Sequence, residues 1–182
     1  MNDSCEMFVK GPKNRKTPLI FIGVFVGCLV LAFVTIGLMG PAGLLFSMLI
    51  ALGGAYLCVK INSLYRIEYE YSVAAGQLSF SMIRNQTVRK TLAVCDTKEI
   101  ASFGNASWQE AFEACREKVV GNEQRLLCIG EGQENVYYIV SRGNDGKTYR
   151  VYFAPNEKML GILGSQSLEV KRWSMKNGGF GV

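Results

Sequence analysis

Residues 18–59 read PLIFIGVFVGCLVLAFVTIGLMGPAGLLFSMLIALGGAYLCV, without one charged side chain. Two apolar runs, Leu19–Met39 and Ala42–Val59, flank Gly40-Pro41. A helix rises about 1.5 Å per residue and needs about 20 apolar residues to cross a bilayer; these runs are about 21 and about 18 residues long. They predict a transmembrane α-hairpin over residues 18–60, spanning at about 19–39 and 42–59. No Asp, Glu, Lys, Arg or His lies in either run, so no proton or ion pathway is expected through them.

The flanks set the orientation. Residues 1–17 are polar, contain Gly11-Pro12, and carry Lys10, Lys13, Arg15 and Lys16; they predict a flexible basic tail at the anionic headgroups. Lys60 and Arg66 follow the second run, whereas the connector is uncharged. Positive residues stay inside, which predicts a multi-pass cell-membrane protein with both termini cytoplasmic. Phe25-Val26-Gly27-Cys28 resembles a lipoprotein cleavage box. The apolar run continues past it to Met39 and a second follows, so retained helices are the expectation. The six cysteines have irregular spacing and no C-x-x-C pair, which predicts free thiols in a reducing compartment. Gly23 and Gly27 make a small-xxx-small spacing; packing within the hairpin is the first expectation, and self-association the second.

After Arg66 the apolar period changes to two. Ile67, Tyr69, Tyr71 and Val73 alternate with Glu68, Glu70 and Ser72, which predicts a half-buried strand with those carboxylates solvated. Gly76 marks a turn, Leu78–Met82 a second strand, Arg84–Thr87 another turn, and Thr91–Val94 a third strand, an antiparallel meander. Asp96 with Glu99 suggests a helix start or tight turn. Trp108, Ala111, Phe112 and Cys115 repeat at helical spacing within Asn105–Lys118. Strands follow at Arg125–Ile129, Val136–Val140 and Thr148–Phe153, the last two joined by a turn at Gly143-Asn-Asp-Gly146. Pro155 and Asn156 open a final helix, and residues 171–182 read as a flexible tail.

Two segments carry a resemblance. Ile67–Ser72, Gly76-Gln-Leu78 and the basic stretch to Arg89-Lys90 resemble the start of bacterial pleckstrin-homology-like (PH-like) domains. Val151–Leu160 resembles their end, where the last strand feeds a Pro-started helix. With the apolar hairpin, the layout resembles an uncharacterised family of small bacterial membrane proteins. The resemblance implies an α+β fold: a transmembrane α-hairpin, then over residues 61–170 a PH-like antiparallel sheet or partly open barrel with a C-terminal helix. The first turn, Ala74-Ala-Gly-Gln77, lacks the basic residues of lipid-binding relatives.

The chemistry is sparse. There is no histidine, which removes Ser-His-Asp and Cys-His catalysis and most catalytic zinc sites. Cys95, Cys115 and Cys128 lack a metal-ligand spacing, and Gly130-Glu-Gly132 lacks the remainder of a phosphate loop. The net charge of +5 is spread too evenly for a nucleic-acid surface. No enzyme, metal or cofactor is expected. The leading expectation is a membrane-anchored interaction module whose partner is a protein or a second copy of itself, held through the hairpin. The alternative is an anionic-lipid surface sensor using the basic turn residues Arg84, Arg89 and Lys90. Lys171-Arg-Trp173 with Lys176 suits the same interface. Tyr137, Tyr138, Tyr149 and Tyr152 are candidates for capturing a peptide strand.

Overall fold

A computed structural model describes residues 4–12, 17–117, 121–130 and 132–180. Lys13, Arg15 and Lys16, expected at the headgroups, lie outside that set. The chain is α+β, with a mixed seven-stranded sheet, and divides into two compact units. One unit takes the chain up to Pro12 and from Ile67 onward; the other is the stretch between.

The sheet unit begins where a flexible tail is expected. Cys5–Lys10 is strand β1, antiparallel to β2 (Ile67–Ala74). Lys10 pairs with Glu68, Val9 with Tyr69 and Cys5 with Val73. The Gly11 amide extends the ladder by donating to the Ile67 carbonyl at 2.8 Å. Cys5 and Val9 point into the core, whereas Glu6, Phe8 and Lys10 face out. That alternation makes the segment a strand, because burial of its inner side chains offsets the entropy of ordering it.

Strand β3 (Gln77–Arg84) follows through a tight turn with Ala75 at φ 51° and Gly76 at φ 79°. Strand β4 runs unbroken from Val88 to Ala106, so Asp96 starts no helix. Thr97 is buried there and donates to the Gly76 carbonyl, while Asp96 accepts from the Lys98 amide. The first half of β4 pairs with β3 and the second with β6 (Val136–Gly143), carrying the sheet round a bend. Helix α3 (Trp108–Arg116) is opened by a capping box of Ser107 and Glu110. It leads to β5 (Glu123–Leu127), which runs parallel to β7 (Thr148–Phe153). The sheet is therefore mixed, in the order β1-β2-β3-β4-β6-β7-β5, and not wholly antiparallel.

Closure comes from the chain beyond β5. The Tyr71 hydroxyl donates to the Cys128 carbonyl. Gly130 lies against the Lys10 carbonyl, where a Cβ would sit at 2.6 Å. Tyr71, Phe80 and Phe153 meet edge to face in the centre, at centroid separations of 5.8, 5.8 and 5.4 Å. Helix α4 (Glu157–Gln166), capped by Asn156, adds Met159, Leu160 and Leu163 to this core. The stretch from Lys171 to Lys176, expected to be a flexible tail, is helical. Helix α5 (Leu168–Lys176) packs the half-buried Trp173 edge-on against Phe103 and Tyr137.

The second unit is apolar and helical. Pro18–Ile61 is long and apolar enough to cross a membrane, and none of its most apolar window is buried. A 3-10 turn at Gly40–Ala42 divides it into α1 (Thr17–Met39) and α2 (Gly43–Tyr65). Thr35 and Ser47 hydroxyls meet at 3.1 Å, and Ser47 also lies 3.2 Å from the Ala32 carbonyl. Gly43 abuts the Thr35 carbonyl and Gly54 abuts Cys28 Sγ. Nothing lies within 4 Å of a Cβ built on Gly23 or Gly27. The small-xxx-small pair is therefore not part of the packing between these two helices.

Candidate functional site

The basic turn between β3 and β4 is the site singled out by sequence. Asn85 and Gln86 both adopt positive φ, 54° and 58°, and the Thr87 amide closes the turn on the Arg84 carbonyl at 3.2 Å. Arg84 stands opposite Val88, Ile83 opposite Arg89, and Met82 opposite Lys90. Directly opposed residues share a face and neighbours along a strand alternate. Arg84, Val88 and Lys90 therefore share one face, and Arg89 lies on the other. The structure separates the three expected lipid contacts two to one.

Arg89 is engaged on its own face. Its Nη2 lies 2.6 Å from both carboxylate oxygens of Glu70 and donates to Oε1, leaving Oε2 without a donor. Glu70 is only 4% exposed, not solvated as the strand alternation suggests, while the Arg89 side chain is 59% exposed. Glu70 faces outward but sits between Phe8 of β1 and Ser81 of β3, with Arg89 beside it. Withdrawing the guanidinium would strand a buried carboxylate, which is costly. Arg84 and Lys90 are exposed, and Val88 is 61% exposed.

Register fixes which end of the sheet carries this turn. Ile67, the first residue of β2, pairs with Arg84 on one side and with Gly11 on the other. The turn thus lies at the sheet end where the chain leaves for, and returns from, the apolar segment. The opposite end holds an open polar notch lined by Asp96, Glu99, Arg142, Gly143, Asn144 and Gly146. Sequence reading missed it, because the bend in β4 that brings Asp96 and Glu99 to the β6–β7 turn has no local signature.

The remaining candidates have partners within the fold. Tyr137 is buried and stacked on Phe103. Tyr149 is buried and donates to Asp145 at 2.7 Å; that bond holds its hydroxyl up at about 12 and holds the Asp145 carboxyl below its usual range. Tyr152 is buried, and Tyr138 lies under Arg150. Burial raises the thiols of Cys95, Cys115 and Cys128, Cys115 to about 11, which keeps them protonated and poorly nucleophilic. Among the described residues no group of three His, Cys, Asp or Glu side chains could hold a metal ion.

A family model for the bacterial PH-like domain (DUF6106) matches residues 2–167. No curated protein and no solved structure matches the chain.

Proposed function

The chain belongs to the bacterial PH-like domain family DUF6106, and on that premise we propose that it is a membrane-anchored, non-enzymatic interaction module. The observation that carries this reading is the position of the apolar segment, between two strands paired in one sheet. A sheet cannot form across a bilayer, so both ends of the segment lie on one side of it. The segment then crosses an even number of times. Helices α1 and α2 have 23 residues each. At 1.5 Å per residue each reaches roughly 35 Å, enough for a hydrocarbon core of about 30 Å. Two crossings as a hairpin satisfy both conditions, and the basic flanks at Lys10 and Arg66 favour the cytoplasmic side for the sheet.

The partner is a protein or a second copy of the chain. The open surface at Gly23 and Gly27 supports self-association, because small residues let helices approach closely in lipid. The non-enzymatic reading rests on the raised thiols and the lack of a histidine base. The second reading, a lipid-surface sensor built from Arg84, Arg89 and Lys90, is favoured by the turn's place at the segment's end of the sheet; the hold of Glu70 on Arg89 weakens its third member.

The test is alkaline extraction of membranes together with protease shaving of inverted vesicles, using epitope tags at both termini. Retention in the pellet, with both tags digested, is expected. Release by alkali, or tags on opposite sides, overturns the reading.

A further inference from the structure

We infer that the β3–β4 turn rests on the same membrane that anchors the chain, with Arg84 and Lys90 on anionic headgroups and Val88 in the interface, while Arg89 takes no part. This rests on the anchored reading above. Three observations carry it. Register puts the turn at the sheet end joined to the apolar segment. Alternation puts Arg84, Val88 and Lys90 on one face. Val88, an aliphatic side chain 61% exposed between two cations, is the arrangement an interface of headgroups and acyl chains accepts.

The chemistry is weak by itself. Two cations and one valine would not hold a free protein on a bilayer, since stable peripheral binding takes a larger apolar face or more charge. The anchor changes this by making the encounter intramolecular, so that a weak contact is occupied at high effective concentration. The site needs no pocket and no particular lipid; it reads surface charge. Arg89 is excluded because it lies on the opposite face and its departure would leave Glu70 buried and unpaired.

The experiment is amide hydrogen exchange of the full chain in nanodiscs of phosphatidylcholine, with and without phosphatidylglycerol. Exchange over residues 84–90 is expected to slow when the anionic lipid is present, by at most about 25-fold, each cation near such a surface contributing roughly 5-fold. Arg84→Gln with Lys90→Gln removes the difference; Glu70→Gln with Arg89→Gln retains it. Unchanged exchange over residues 136–143 shows that each variant is folded. The same exchange in both lipids overturns the inference. Loss of the difference in the Glu70/Arg89 pair alone also overturns it. Failure of the chain to enter nanodiscs would instead overturn the anchoring.

Discussion

Val9 lies before the apolar segment, yet it is 5% exposed in the core of a sheet whose other strands all follow that segment. Val9→Ala should destabilise the whole sheet unit. Two methyl groups at about 0.8 kcal/mol each, with a small cavity term, give about 2 kcal/mol. That is roughly a 30-fold rise in the open population. Cys95 and Cys128 report it, since both are buried in the same core and neither belongs to β1 or β2. Their labelling by a thiol reagent, followed by peptide mass spectrometry in mild detergent, should speed by that factor. Val73→Ala is the positive control within β2. Phe8→Ala is the negative one, because Phe8 is 57% exposed on the outer face and should cost little. If Val9→Ala leaves both thiols as protected as in the parent while Val73→Ala exposes them, β1 is not part of the sheet and the discontinuous unit is wrong.

Ala75→Gly should stabilise the protein by about 0.5–1 kcal/mol, because Ala75 holds φ 51° and a Cβ is penalised there; a thermal shift in detergent measures it. Arg89→Ala should cost about 2 kcal/mol by leaving Glu70 unpaired, and adding Glu70→Gln should recover most of it; chemical denaturation of the double-mutant cycle gives the coupling. Tyr149→Phe should act at both ends of the pH range. The raised Tyr149 hydroxyl stabilises fully below the unfolded value near 10, and this is lost as pH climbs towards about 12. The lowered Asp145 carboxyl stabilises above about 4 and the benefit is lost as pH falls through its folded value. The variant's melting temperature should therefore fall less steeply at each extreme.

Much of the sheet is legible because its signals are local. Ala75-Gly76 and Gly143–Gly146 mark turns, alternation marks β2, β3 and β7, and the spacing of Trp108, Ala111, Phe112 and Cys115 marks α3. The failures are non-local. In Cys5–Lys10 the bulky Phe8 faces out and blurs the alternation, and the partner strand lies beyond the whole apolar segment. Asp96-Thr-Lys-Glu99 has a capping spacing, but Thr97 is drawn into the sheet by the Gly76 carbonyl, and tertiary pairing overrides the local signal. The direction of β5 is not encoded in Glu123–Leu127; it follows from the crossover through α3. At the site, the opposition of neighbouring Arg89 and Lys90 is legible in the numbering, whereas the side on which Arg84 falls needs the pairing of Arg84 with Val88 across the turn. The hold of Arg89 on Glu70 is not legible either, because it needs the register between β2 and β4.

The same register dictates how a soluble form of the sheet unit must be built. A fragment beginning at Ile67 would lack β1, exposing one edge of β2 and uncovering Tyr71 and Val73, a template for aggregation. Gly11 and Ile67 are already hydrogen-bonded partners, so the chain ends there stand as they do in a β-hairpin. Replacing residues 12–66 with Asn-Gly supplies a two-residue turn of the preferred hand. It also shortens the loop that folding must close, which favours the folded state by at most a few kcal/mol. The spliced chain should be monomeric, with a cooperative thermal transition and slow labelling of Cys95 and Cys128, whereas the fragment from Ile67 should aggregate. A well-folded fragment beside an unfolded splice would show that β1 is dispensable, and the proposed double crossing of the apolar segment would lose the sheet pairing it depends on.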